Sequence, residues 1–190
     1  MYAGFQGLDS VSYLQANLSP LGARRTLSPA KRIFMVFFDL LAALTVHMFF
    51  LLSLLAYLVF ILGVDFGSNL FPVIAACLFG SFLGLSFGAF VTAISRVKEG
   101  MKVAIIITVS LACSFGAGMM VSGINYLIAR NIPILSWLNP AARISDALYC
   151  LYYYDGYSQY FLNLGILALM TLVFSIITAF FLRRQRYESI

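Results

Sequence analysis

Residues 33–63 read IFMVFFDLLAALTVHMFFLLSLLAYLVFILG, an apolar run broken by one acidic side chain, Asp39, and one histidine, His47. A helix crosses the hydrocarbon core of a bilayer with about 20 residues. This run exceeds that length, so it predicts a span that tilts or extends into the interface. Three further runs meet the same requirement, at about 70–94, 103–128 and 160–182. In lipid every backbone polar group needs an internal partner, which leaves helices or a closed barrel. Barrel strands are short and alternating, whereas these runs are continuous. The sequence therefore predicts an all-α integral membrane protein with four transmembrane helices.

Composition agrees. Hydrophobic residues make up 62% of the 190 and charged residues 10%, against roughly 45–50% and about 25% in soluble domains. Too little polar surface exists to cover a soluble core. The net charge of +5 is explained by topology and implies no nucleic-acid partner. Arg24, Arg25, Lys31 and Arg32 precede the first span. Arg96, Lys98 and Lys102 lie between the second and third, and Arg183, Arg184 and Arg186 follow the fourth. These ten of the twelve basic residues fall on one side, leaving Arg130 and Arg143 on the other. The positive-inside rule places the basic side, with both termini, in the cytoplasm. Residues 64–69 (VDFGSN) form a short outer turn without positive charge. The chain divides into a cytosolic segment, 1–32, and a transmembrane bundle, 33–190. Met1–Leu8 is too short to span and has the look of the cytosolic end of a preceding helix.

The inventory for chemistry is thin. One His and three Cys, at 77, 113 and 150, offer no spacing that builds a metal site. No G-x-x-x-x-G-K-[ST] phosphate loop and no G-x-S-x-G elbow occur, so no catalytic, cofactor-binding or metal-binding residue is assigned. Ionisable groups inside a membrane are the first places to look for function. Asp39 and His47 lie about 80° apart around a helix and roughly 12 Å apart along it. Two readings stand for them: a polar strip on a substrate path, or bonds to neighbouring helices. Alanine replacements at Asp39, His47 and Asp146 that left activity intact would dispose of a membrane-embedded enzyme.

Small residues give a packing signal. Ala76, Gly80, Gly84, Gly88 and Thr92 recur every fourth position along the second span, a ridge that lets a helix backbone approach closely. The partner is another helix of this chain or of a dimer. In the third span Ser114, Gly116, Gly118, Ser122 and Gly123 loosen the outer half and invite a kink or a second close crossing.

Residues 132–157 are neither a span nor a simple loop. Asn139-Pro140 has the pattern of an N-cap followed by proline at the first helical position, so a short external helix is expected through Ala141 to about Tyr153. Trp137, Tyr149, Tyr152, Tyr153, Tyr154, Tyr157 and Tyr160 surround it, as befits a membrane interface. An aromatic anchor and an external re-entrant gate are both consistent with this segment.

In order along the chain stand Gly4-x-x-Gly7-Leu8, QANLSPLGARRTLSPAKR (15–32), GSFLGLSFG (80–88) and RVKEGMK (96–102). Then follow P-x-L-x-W-L-N-P-A-x-R-I-S-D-A-L (133–148) and RRQRYESI (183–190). The set resembles the type-2 ABC transporter permeases over nearly the whole chain, matching the last four of the usual six helices. The resemblance implies a membrane subunit, an exporter component, that pairs with a second permease half and with separate ATP-binding subunits carrying ATP and magnesium. The stretch with Gln15, Asn17, Arg24 and Arg25 then matches the coupling helix that meets the ATPase. Arg96, Lys98, Glu99 and Lys102 match a second cytosolic contact. Pro133 to Leu151, with Asn139, Pro140 and Asp146, matches the external re-entrant element. The implied location is the cell membrane. A tetraspan scaffold that moves nothing fits the same topology without an ATPase. Lipid, drug-like amphiphile and hydrophobic peptide all suit the apolar interior as cargo, and homo- and heterodimers are equally compatible.

Overall fold

A computed structural model describes residues 1–12, 32–64, 66, 70–95, 97–153 and 157–184. Gln15, Asn17, Arg24, Arg25 and Arg96 lie outside them. Among the described residues the chain is all-helical. In order come α1 (Tyr2–Ser12), α2 (Arg32–Phe60), α3 (Leu70–Ile94), α4 (Glu99–Gly116), α5 (Ile124–Asn131), α6 (Pro133–Leu138), α7 (Pro140–Tyr153) and α8 (Ser158–Arg184). Four of these are long and apolar enough to cross a membrane, over Phe34–Phe60, Leu70–Ile94, Glu99–Gly116 and Ser158–Leu182. Large apolar side chains such as Phe37, Phe49, Phe60, Phe71 and Ile176 are exposed on them. That surface suits a solvent of acyl chains and not water.

The third span is shorter than hydropathy implies. The apolar run to Ile128 predicts one helix, yet α4 ends at Gly116 and a separate helix, α5, begins at Ile124. The cause is a Schellman stop. Gly118 takes φ +79°, Met119 N–H donates to the Ser114 carbonyl at 3.2 Å, and Gly118 N–H donates to Phe115 at 3.0 Å. A left-handed residue after the last turn satisfies the orphan carbonyls and turns the chain away. Gly123, at φ +91°, sets the entry to α5.

The chain forms two compact units, each built from parts of the long helices. The first comprises Met1–Met48, Ser81–Ile106 and Met170–Ile190. Its core has three patches: Val11, Val36, Ala89 and Leu182; Ala3, Leu44 and Leu85; and Leu8, Val91 and Ile106. Each patch includes residues of α1, so this short helix is a structural member of the unit. Of its buried positions, Ala3, Gly4, Gly7, Leu8 and Val11 repeat with the three-to-four spacing of one helical face, and Ser10 and Ser12 near its end are buried as well. Phe174 of α8 packs on Phe87 and Phe90 of α3, with ring centroids 5.7 and 4.9 Å apart. Ser86 and Ser175 share a hydrogen bond at 3.2 Å between the same two helices.

The expected small-residue ridge is where α1 sits. A Cβ built on Gly88 would fall on the Gly4 carbonyl, and one built on Gly7 would fall on the Leu85 carbonyl. A Cβ on Gly84 would stand 2.8 Å from that of Ala3. Two backbones therefore meet without side chains between them, the geometry that small-xxx-small ridges permit. Thr92, the next ridge position, is fully buried and donates its hydroxyl to the Gly88 carbonyl at 2.9 Å.

The second unit comprises Phe49–Gly80 and Ile107–Leu169. Here Gly80 faces α7: a Cβ would approach the Ile144 side chain to 3.1 Å. Tyr160 of α8 donates its hydroxyl to the Pro72 carbonyl in the first turn of α3 at 2.7 Å. Pro72 fits there because the first turn of a helix has no use for its missing N–H.

Candidate functional site

In the first unit the start of α4 carries the exposed charge. Val97, Lys98, Glu99 and Met101 are exposed, and the Lys98 carbonyl opens the helix by accepting from Met101 N–H at 2.9 Å. Glu99 sits in the first turn, where a carboxylate meets the positive end of the helix dipole. Lys102 differs from its neighbours. It is 2% exposed, because α4 begins at Glu99 and Lys102 falls one turn below Ile106 on the buried face. Lys102 therefore belongs to the interior of this unit, and the exposed strip consists of Val97, Lys98, Glu99 and Met101.

Asp9, near the end of α1, is exposed. Partial burial pushes its carboxyl above the ordinary value of 3.8, and the Glu99 carboxylate pushes in the same direction. A raised acid pKa means the native state takes up the proton first, so the ionised group is a cost at neutral pH that disappears as pH falls through the raised value. Asp9→Asn is expected to raise the thermal midpoint in detergent at pH 7. The gap to the parent protein is expected to close as pH drops towards the ordinary carboxylate range. A gap that is constant with pH would assign the effect to something other than charge.

The two intramembrane ionisable residues of α2 also lie in the first unit. The His47 ring stacks on Tyr2 of α1, centroids 5.7 Å apart at 29°. Both His47 and Asp39 are half-buried. His47 is thus a packing partner of α1 in this structure.

The second unit holds a polar cluster around α7. Asn139 caps this helix as expected. Its side-chain oxygen accepts from the amides of Ala141 at 3.0 Å and, more weakly, Ala142 at 3.4 Å. The same side chain donates through Nδ2 to the Cys113 carbonyl at 2.8 Å. One residue thereby starts α7 and ties it to the last turn of α4. Pro140, at the first helical position, suits a site whose N–H would go unused. Pro133 plays the same part at the start of α6.

One turn into α7 lies Arg143, 7% exposed. Its guanidinium donates to Asn163 Oδ1 on α8 at 2.8 Å, pairs with Asp146 at 2.7 Å, and lies 4.9 Å from the centre of the Trp137 ring. A buried charge needs such partners to be tolerated, and Trp137 adds a cation–π contact. Asn163 is buried as well.

Of the residues read as pathway or gate, the structure brings Asn139, Pro140 and Asp146 to this cluster. Pro133 lies at the start of the preceding helix, and Asp39 and His47 belong to the other unit. In the sequence Arg143 reads as one of two outer charges and as a member of the 133–148 motif, with no partner indicated, and Asn163 carries no reading. The signal was present: an asparagine inside an apolar span is costly unless it is bonded. No group of three or more potential metal ligands occurs among the described residues.

The sequence that folds into these helices matches one known family over residues 1–180, described as ABC-2 family transporter protein. The chain belongs to that family and is a multi-pass membrane protein, a membrane subunit of a transporter. No curated protein and no solved structure matches it.

Proposed function

We propose that the chain forms half of the translocation pathway of an ATP-driven exporter in the cell membrane. In this reading it pairs with a second permease subunit, a like or related chain, and couples to separate ATP-binding subunits. ATP and magnesium are held by those subunits. The observation that carries this reading is the family match across 1–180. It is supported by the exposed charged strip at Lys98 and Glu99, on the side that the basic residues assign to the cytoplasm. The basic segment with Gln15, Asn17, Arg24 and Arg25 is the second proposed contact, with Arg96 beside the first. Charged faces of this kind set partner choice and association rate more than raw affinity.

Affinity purification of the tagged chain from native membranes in mild detergent tests the proposal. A stoichiometric ATP-binding protein with vanadate-sensitive turnover is expected. Charge reversal at Arg24, Arg25 and Lys98 together is expected to reduce its recovery about tenfold, equivalent to roughly 1.4 kcal/mol, with membrane insertion unchanged. Full recovery by that variant would remove these residues from the contact. Absence of any ATPase from the intact parent chain would favour a non-transporting tetraspan scaffold.

A further inference from the structure

We infer that Arg143 is a positioning residue: it latches α7 to α8 through Asn163, and release of that bond uncovers the buried face of α7, including Cys150. The inference concerns the second unit alone and does not depend on the transport reading.

The buried residues of α7 are Ala142, Arg143, Ala147 and Cys150. Arg143, Ala147 and Cys150 differ by four and three positions, so they form one stripe along the helix. Tyr149, Tyr152 and Tyr153 are exposed and lie off that stripe. Two of the three stripe residues are small. Ala147 contributes one methyl and Cys150 one thiol, so these two side chains add little apolar burial to the stripe. The directional bond on the stripe is the one from Arg143 to Asn163 at 2.8 Å. The pair with Asp146 lies within α7 itself and holds no other helix. Asn139 fixes the opposite tie, to α4, at the N-terminal end only. Arg143 is therefore the residue of this stripe that ties α7 to α8 by a directional bond.

Among the described residues the guanidinium Nε has no hydrogen-bond partner. A buried donor left unmatched weakens the closed arrangement. Such a contact suits a joint that opens.

Cys150 is the native reporter. It is 7% exposed, and burial pushes its thiol up, with Asp146 adding to the rise and Arg143 partly offsetting it. In the parent protein, slow alkylation by a hydrophilic maleimide is expected at this position. Arg143→Gln removes the offsetting cation, so thiol chemistry alone would slow labelling further. Faster labelling in that variant would therefore report exposure.

The test is peptide-resolved mass spectrometry of maleimide labelling on the whole chain in mild detergent, with Cys77 and Cys113 as internal references. Arg143→Gln and Asn163→Leu are expected to raise the Cys150 rate tenfold or more and leave the Cys77 rate within twofold. Asn163→Asp keeps an acceptor in front of the guanidinium and is expected to stay as protected as the parent. Equal behaviour of the leucine and aspartate variants would show that side-chain shape and not the hydrogen bond holds the helix, and would overturn the inference. A parallel rise at all three cysteines would equally overturn it, as general loosening.

Discussion

Gly88→Ala is expected to abolish the seat of α1 and yield a protein that aggregates on extraction or loses most of its thermal stability. The added Cβ would occupy the place of the Gly4 carbonyl. Backbone on one helix meets backbone on another, so no rotamer change relieves the clash and the helices must separate. Overpacking costs typically about 1–3 kcal/mol and more where nothing yields; the Gly88 case belongs at or above the top of that range. Separation would also loosen all three core patches of the first unit, since each contains residues of α1. Gly7→Ala, whose Cβ meets the Leu85 carbonyl, is expected to behave alike. Gly84→Ala brings its Cβ to 2.8 Å from the Ala3 methyl and not onto a carbonyl, and is expected to cost less than Gly88→Ala, within about 1–3 kcal/mol. Gly165→Ala is the control. Among the described residues nothing lies within 4 Å of its Cβ, and a helical glycine replaced by alanine gains about 0.5–1 kcal/mol. Thermal midpoints by fluorescence-detected size exclusion would rank the four. If Gly88→Ala and Gly165→Ala melted together, the close crossing would be disproved.

The ridge illustrates what a sequence states and what it leaves open. Glycines at 80, 84 and 88 mark a surface for close approach because spacing by four keeps them on one helical face. They carry no information about the partner. The structure gives Gly84 and Gly88 to α1, and Gly80 to Ile144 of α7. The four spans were legible because hydropathy integrates over about 20 residues and local error averages out. The end of the third was not, because a Schellman stop depends on one glycine adopting positive φ, and the apolar residues beyond it hide the break. Lys102 shows the same limit. A lysine in a charged turn reads as solvent-facing until the helix start is known, and moving that start from Val103 to Glu99 places Lys102 on the face of Ile106. Within the polar cluster, the Asn139-Pro140 cap was legible because capping is local. The Arg143–Asn163 bond joins residues on different helices, and no local pattern announces it.

Asn139→Ala is expected to cause the second large loss, because one side chain performs two separable tasks. As N-cap it satisfies the Ala141 amide, and removal of such a cap costs about 1 kcal/mol, up to 2. As donor to Cys113 it ties α7 to the last turn of α4, and a net hydrogen bond of this kind contributes about 1 kcal/mol. The Cys113 carbonyl still accepts from Ala117 N–H at 2.9 Å, so it is not orphaned when Asn139 goes. The sum for alanine is then about 2–3 kcal/mol. Serine separates the tasks: its hydroxyl keeps the cap but is too short to reach Cys113. Asn139→Ser is therefore expected to lose about 1 kcal/mol and to keep the Ala141 amide protected from hydrogen exchange. Asn139→Ala is expected to lose that protection together with the larger share of stability. If both variants exchanged at Ala141 as slowly as the parent, the asparagine would not be the cap. If both lost stability equally with the amide protected only in the serine variant, the tie to α4 would carry the whole effect, and the start of α7 would be fixed by Pro140 and by Ile144 packing on Gly80.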